Sequence, residues 1–147
     1  MSAVTEFLDG TGTDSAGRRI AEVLAFDDAA LEHRHDFVQW LFPLPEPSVA
    51  VPGSPVLTDA DAAAIRADPA AQANLAAAAT RMLAFYRGAD AWLAPFDHNH
   101  LRITRIIRSL RLLAGDAAAD GFRAEVLRLA GDPPPVNARS LGYWSDA

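Results

Sequence analysis

The segment HNHLRITRIIRSLRLLAG, residues 98–115, constrains the fold more than any other part of the chain. At about 100° per residue, Ile103, Ile106, Ile107, Leu110 and Ala114 share one stripe about 100° wide, the apolar face of a core helix. Nowhere does the chain alternate apolar with polar residues as a half-buried strand requires. Half of its residues are hydrophobic, enough to fill a core. The predicted class is therefore all-α, a compact bundle of about five to six helices.

Local signals mark the other elements. A loosely ordered first dozen residues, broken by Gly10 and Gly12, precede a short helix with Ile20, Val23 and Leu24 on one side. Asp27 or Asp28 then caps a longer helix, DAALEHRHDFVQWLF, whose stripe holds Leu31, His35, Val38 and Phe42. Pro43 stops it, and PLPEPSVAVPGSP follows as a stiff connector with five prolines, expected to lie across the helices. Thr58 caps DADAAAIRA, and Pro69 suits the first turn of a helix over about 69–87 carrying Leu75, Ala79, Met82 and Tyr86. Trp92 and Phe96 are expected to anchor the connector to the helix at about 98–114. A last helix, about 117–130, turns Phe122, Val126 and Leu129 inward. The prediction is one domain over 1–147, core about 18–130, with the tail 131–147 docked through Tyr143 and Trp144.

Charge and composition exclude several functions. The net charge is -6, which disfavours non-specific attraction to nucleic acid. All thirteen basic residues are arginine, which with the abundant alanine reads as a GC-rich, bacterial coding sequence. There are no cysteines, so disulfides and thiolate metal sites are ruled out. No apolar run approaches the roughly 20 residues of a membrane span, and no signal peptide is visible. A cytoplasmic protein, monomeric or weakly dimeric, is expected. With no GxGxxG or GK[ST] sequence, no nucleotide cofactor is implied.

Candidate chemistry lies in two segments. Arg102, Arg105, Arg108 and Arg111 recur every three residues, so each is turned about 60° from the last. Arg102 and Arg111 flank the apolar stripe, while Arg105 and Arg108 point toward solvent. Arg102 stands one turn from the helix start, beside His98 and Asn99, where free N–H groups and the helix dipole favour an anion. The competing reading pairs Arg102 with an acidic side chain such as Glu32. Asp97 is expected to cap the helix. The four histidines form two HxH pairs, but helical residues two apart point about 200° from each other. Neither pair chelates one ion, and no metal is assigned. His35, with Glu32 and Gln39 one turn to either side, suits a structural polar network or part of a pocket. Trp40, Phe42 and Leu44 read as core. No nucleophile has an activating context, so no catalytic residue is assigned.

LEHRHDFVQWLFPLPEPS (31–48), PVLT (55–58), MLAFY (82–86) and HNHLRITRIIRSLRLL (98–113) together resemble the conserved domain of the opioid growth factor receptor family, over roughly residues 18–125. The resemblance puts Glu32, His35, Gln39, Trp40, His98, Asn99, Arg102, Thr104 and Arg105 in family positions, with His33 and His100 at variable ones. It implies a receptor-like domain, since animal members are described as receptors for the peptide Met-enkephalin at the nuclear envelope. The long C-terminal repeats and basic targeting runs of those members have no counterpart in this chain, and the connector between Tyr86 and His98 is shorter. The expected function is binding of a small anionic ligand or peptide by Glu32, His35, Gln39, Trp40, His98, Asn99, Arg102 and Arg105. That expectation requires the second helix to pack against the arginine helix. The alternatives are an enzyme using His35 or His98 as acid/base, and an interaction module working through the Pro-rich connector and tail.

Overall fold

Nine helices and no strand account for the regular structure in the computed structural model, which describes all 147 residues. Helix α1 spans Ala3–Asp9, α2 Ile20–Leu24, α3 Asp28–His33, α4 Val38–Leu41, α5 Asp59–Ala67, α6 Pro69–Gly88, α7 Asn99–Leu113, α8 Asp116–Ala130 and α9 Ala138–Asp146. The chain divides into two compact units, Met1–Ala78 and Ala79–Ala147, and the division falls inside α6. The all-α expectation holds. There are more helices than the five to six predicted, because several are too short to leave a periodic signal.

In the first unit, α1 replaces the loosely ordered start that was predicted. Ser2 Oγ accepts the Thr5 N–H at 3.3 Å to open the helix, and Gly10 closes it at φ 90°, donating its N–H to the Glu6 and Phe7 carbonyls. Val4, Phe7 and Leu8, spaced three and four apart, are buried. They pack α1 against α4 and α5. Phe7 meets the Trp40 ring edge-on at 5.5 Å. The Asn74 amide donates to the Leu8 carbonyl at 2.7 Å and so satisfies one of the acceptors left over at the end of α1.

A second correction concerns residues 28–42, predicted as one helix. Asp27 caps α3 as expected, but Arg34 is extended at φ -86°, ψ 138°, and helical geometry resumes only at Val38. Phe37, Val38, Trp40, Leu41 and Phe42 are all buried. On one helix these five would spread over about 200° of its circumference, too wide for a single buried face. Breaking the helix lets Phe37 turn in against Phe26, with ring centroids 5.8 Å apart. His35 falls in the break and is exposed, not on an apolar stripe.

The connector folds back on itself rather than running extended: Val51–Ser54 make a turn, and the Leu57 N–H donates to the Leu44 carbonyl at 2.9 Å. Leu44 and Leu57 are buried there, whereas Val49 stands in solvent. Thr58 and Asp61 form a reciprocal capping box at the start of α5. Pro69 occupies the first position of α6, as predicted.

In the second unit, Met82, Phe85 and Tyr86 are the buried residues of α6 there. Helix α7 packs on α8 and α9. Ile103, Ile106, Ile107 and Leu110 are buried as predicted, but Ala114 lies past the helix end and is exposed. Gly115 reverses the chain into α8 at φ 103°, a conformation side-chain-bearing residues rarely adopt. Phe122 and Val126 are buried in α8, with Leu129 half-buried. The tail is helical rather than irregular. Trp144 docks, 1% exposed, but Tyr143 stays 41% exposed. Phe96, predicted as an anchor, is 81% exposed.

Candidate functional site

The groups that the second unit gathers centre on the first turn of α7. Trp92 fixes the approach to that turn. Its ring is fully buried and its indole N–H reaches both the Tyr86 and Ala89 carbonyls at 3.0 Å, covering acceptors left over at the end of α6. Five residues on, Asp97 Oδ1 accepts the Asn99 N–H at 2.9 Å, the capping role predicted for it. His98 follows, its side chain 40% exposed and its Nδ1 3.8 Å from Asp97 Oδ1. That separation is too long for a hydrogen bond.

Behind the exposed imidazole lies a buried set. Asn99 is 1% exposed, and its Oδ1 accepts from the Tyr86 hydroxyl at 3.4 Å and from Arg102 Nη1 at 3.5 Å, both long contacts. Arg102 is 8% exposed. Burying a guanidinium is costly unless polar partners surround it, so Arg102 is built into the unit rather than spread on its surface. Arg105 and Arg108, expected in solvent, are half-buried. Arg111 binds Asp116 and Asp120 at 2.9 and 2.8 Å and so ties α7 to α8. The hydrogen bonds it donates to Asp120 and Asp116 raise its pKa above the ordinary arginine value.

Sequence reasoning missed two residues here. Tyr86 belongs to an apolar stripe in the sequence, yet its hydroxyl holds Asn99. His100 falls at a variable family position, yet it is 3% exposed, with Nε2 2.8 Å from the Trp92 carbonyl and its ring edge-on to Trp144 at 5.8 Å. The spacing Trp92–His100 and an apolar tail ending in tryptophan were the available signals. Neither carries a period that a helical projection reveals.

The first unit holds the other predicted residues. Glu32 is half-buried on α3, His35 is exposed, and Gln39 and Trp40 are buried on α4. Gln39 Oε1 is buried without a hydrogen-bond donor. Such an acceptor is uncommon in a folded protein.

These features define an all-helical domain whose polar motif residues gather at the first turn of α7 and around the break between α3 and α4, with no strand, nucleotide loop or nucleophile elbow. The matching family model is described as the opioid growth factor receptor (OGFr) conserved region, and it covers residues 18–90. The chain belongs to this family. It is 34% identical to the opioid growth factor receptor of Rattus norvegicus over 116 residues, 67% of this chain and 19% of that protein. Against the Homo sapiens opioid growth factor receptor the identity is 34% over 139 residues, 78% of this chain and 20% of that protein. The chain thus spans about a fifth of the length of the curated relatives it matches. No solved structure matches. No helix is long and apolar enough to cross a membrane.

Proposed function

We propose that this chain is a binding module for a small anionic ligand or an acidic peptide, engaged at the start of α7. The observation that carries the reading is the first turn of that helix. The exposed imidazole of His98 leads into Asn99, which links Tyr86 to the buried guanidinium of Arg102. In this reading His98 makes first contact, Asn99 fixes the geometry, and Arg102 supplies permanent charge for a carboxylate or phosphate. Arg105, three residues beyond Arg102 on the same helix, adds to the local positive field. In the first unit, taken by itself, we propose Glu32 and His35, which reach solvent, as separate ligand contacts, with Gln39 and Trp40, which are buried, in support. The relatives are named as receptors, which agrees with recognition rather than turnover. The setting proposed is a bacterial cytoplasm. An acid/base role for His98 is less well supported, since Asp97 is already committed to the Asn99 N–H and stands 3.8 Å from the imidazole.

The test is thermal unfolding with inorganic phosphate and with a short acidic peptide. Saturation at about 100 times Kd stabilises by about 2.7 kcal/mol. Arg102→Ala is expected to abolish that stabilisation, Arg102→Lys to weaken it, and Arg108→Ala to leave it intact. Equal responses of the Arg102 and Arg108 variants would refute the assignment.

A further inference from the structure

We infer that the C-terminal helix α9 is a clasp that positions the loop carrying Asp97 and His98, so that Asn137 and Trp144 are positioning residues for the site at the start of α7. The inference rests on the binding reading above for its consequence, but not for its mechanics.

The loop between α6 and α7 is held at several points, and α9 supplies two of them. At the entrance to α9, Asn137 donates twice to the Pro95 carbonyl, from its backbone N–H at 3.1 Å and from Nδ2 at 2.6 Å. A carbonyl oxygen has two lone pairs, so both bonds fit, and Pro95 lies only two residues before Asp97. The same Asn137 caps α9, its Oδ1 accepting the Ser140 N–H at 2.8 Å. One side chain therefore starts the helix and grips the loop.

Toward the other end of α9, the Trp144 indole N–H donates to the His100 carbonyl at 3.0 Å, and Thr104 Oγ1 donates to the same oxygen at 3.2 Å. The His100 imidazole in turn holds the Trp92 carbonyl at 2.8 Å. Thus Trp144 braces His100, His100 braces the front of the loop, and Asn137 braces its back. The C-terminal end of α9 is caught as well. Arg111 Nε donates to the Ala147 carbonyl oxygen at 2.9 Å, and Arg123 Nη1 donates to the Ser145 carbonyl at 3.2 Å. The prolines of GDPPPV before α9, with Val136 buried, restrict the span over which it is tethered to α8. Phe96, which faces solvent, contributes nothing to holding the loop.

Asn137→Asp removes the side-chain half of the grip and keeps the cap, while the backbone N–H bond to Pro95 stays. Aspartate caps a helix as well as asparagine does, but it has no Nδ2 donor and brings a carboxylate to the Pro95 carbonyl. Hydrogen exchange by NMR should show the Asp97–His100 amides exchanging about tenfold faster in this variant, because local opening sets their protection. The α8 amides should be unchanged. The His98 ring resonances should shift, and stabilisation by inorganic phosphate should fall. Should Asn137→Asp fail to fold, Asn137→Ser serves instead, since serine also caps and lacks the amide donor. Unchanged exchange at 97–100 in a folded variant would overturn the clasp. Absence of phosphate stabilisation in the unaltered chain would instead remove the binding reading, and the exchange result would still decide the clasp.

Discussion

Trp92 shows how much one side chain organises in the second unit. Its indole spans two carbonyls at the end of α6, its ring lies 5.3 Å from that of Tyr86, and its own carbonyl receives His100. Truncation removes all of this except the backbone carbonyl and leaves a cavity. Trp92→Ala is expected to cost about 3–5 kcal/mol in urea unfolding, in line with large-to-small core substitutions. Trp92→Phe should cost less, because most of the ring volume stays and only the indole N–H is lost. If the alanine variant unfolds at the same urea concentration as the unaltered chain, the ring is not the anchor described. Asp61 gives a residue-scale effect of pH. Burial raises its carboxyl pKa, but hydrogen bonds from Ser2 and Thr58 outweigh that and hold it below the ordinary carboxylate range. A carboxyl lowered in the folded state contributes stability above its unfolded pKa, about 3.9. That contribution is lost as the pH falls through this range toward the lower folded value.

At the scale of the element, α5 makes the same carboxylate measurable. The Thr58 hydroxyl accepts the Asp61 N–H at 3.1 Å, and Asp61 Oδ2 accepts the Thr58 N–H at 3.1 Å. Thr58→Ala should cost about 1 kcal/mol. Asp61→Asn should cost stability at neutral pH and flatten the acid limb of the stability–pH profile, followed by circular dichroism. An unchanged acid limb would exclude Asp61 from the acid response. This capping box, and the proline at the first position of α6, are why both helix starts were legible in the sequence: threonine, aspartate and proline act within a few residues of where they stand. Helix α1 was not legible for the opposite reason. Seven residues form a marginal helix alone, and this one depends on Trp40 and Asn74, which are distant in sequence. The stretch 28–42 misled because its helical period is real on paper, while burial of Phe37 overrides it. Of the predicted site, His98, Asn99 and Arg102 were readable as neighbours on one helix start. That Arg102 is buried, and that Tyr86 and His100 brace the turn, follows from tertiary packing that no local period encodes.

At the scale of the whole molecule, the boundary between the two compact units lies within the twenty-residue helix α6 and not in a flexible linker. Opening either unit frays a continuous run of backbone hydrogen bonds, and helix formation is cooperative with a costly nucleus. The chain is therefore expected to unfold in one transition. Its three tryptophans allow the test. Trp40 alone, in a Trp92→Phe/Trp144→Phe background, reports on the first unit, and a Trp40→Phe variant reports on the second. In each variant the urea curve from tryptophan fluorescence should coincide with the curve from far-UV circular dichroism of that same variant. A helix-breaking Ala77→Pro substitution at an exposed position of α6 should cost about 3 kcal/mol or more. It should also separate the fluorescence curve from the circular dichroism curve of the same variant if the helix is what couples the units. Coincident curves before the proline substitution and divergent ones after it would identify α6 as the coupling element. Divergence in the chain without proline would mean that each unit folds on its own account, and that the helix merely runs through both.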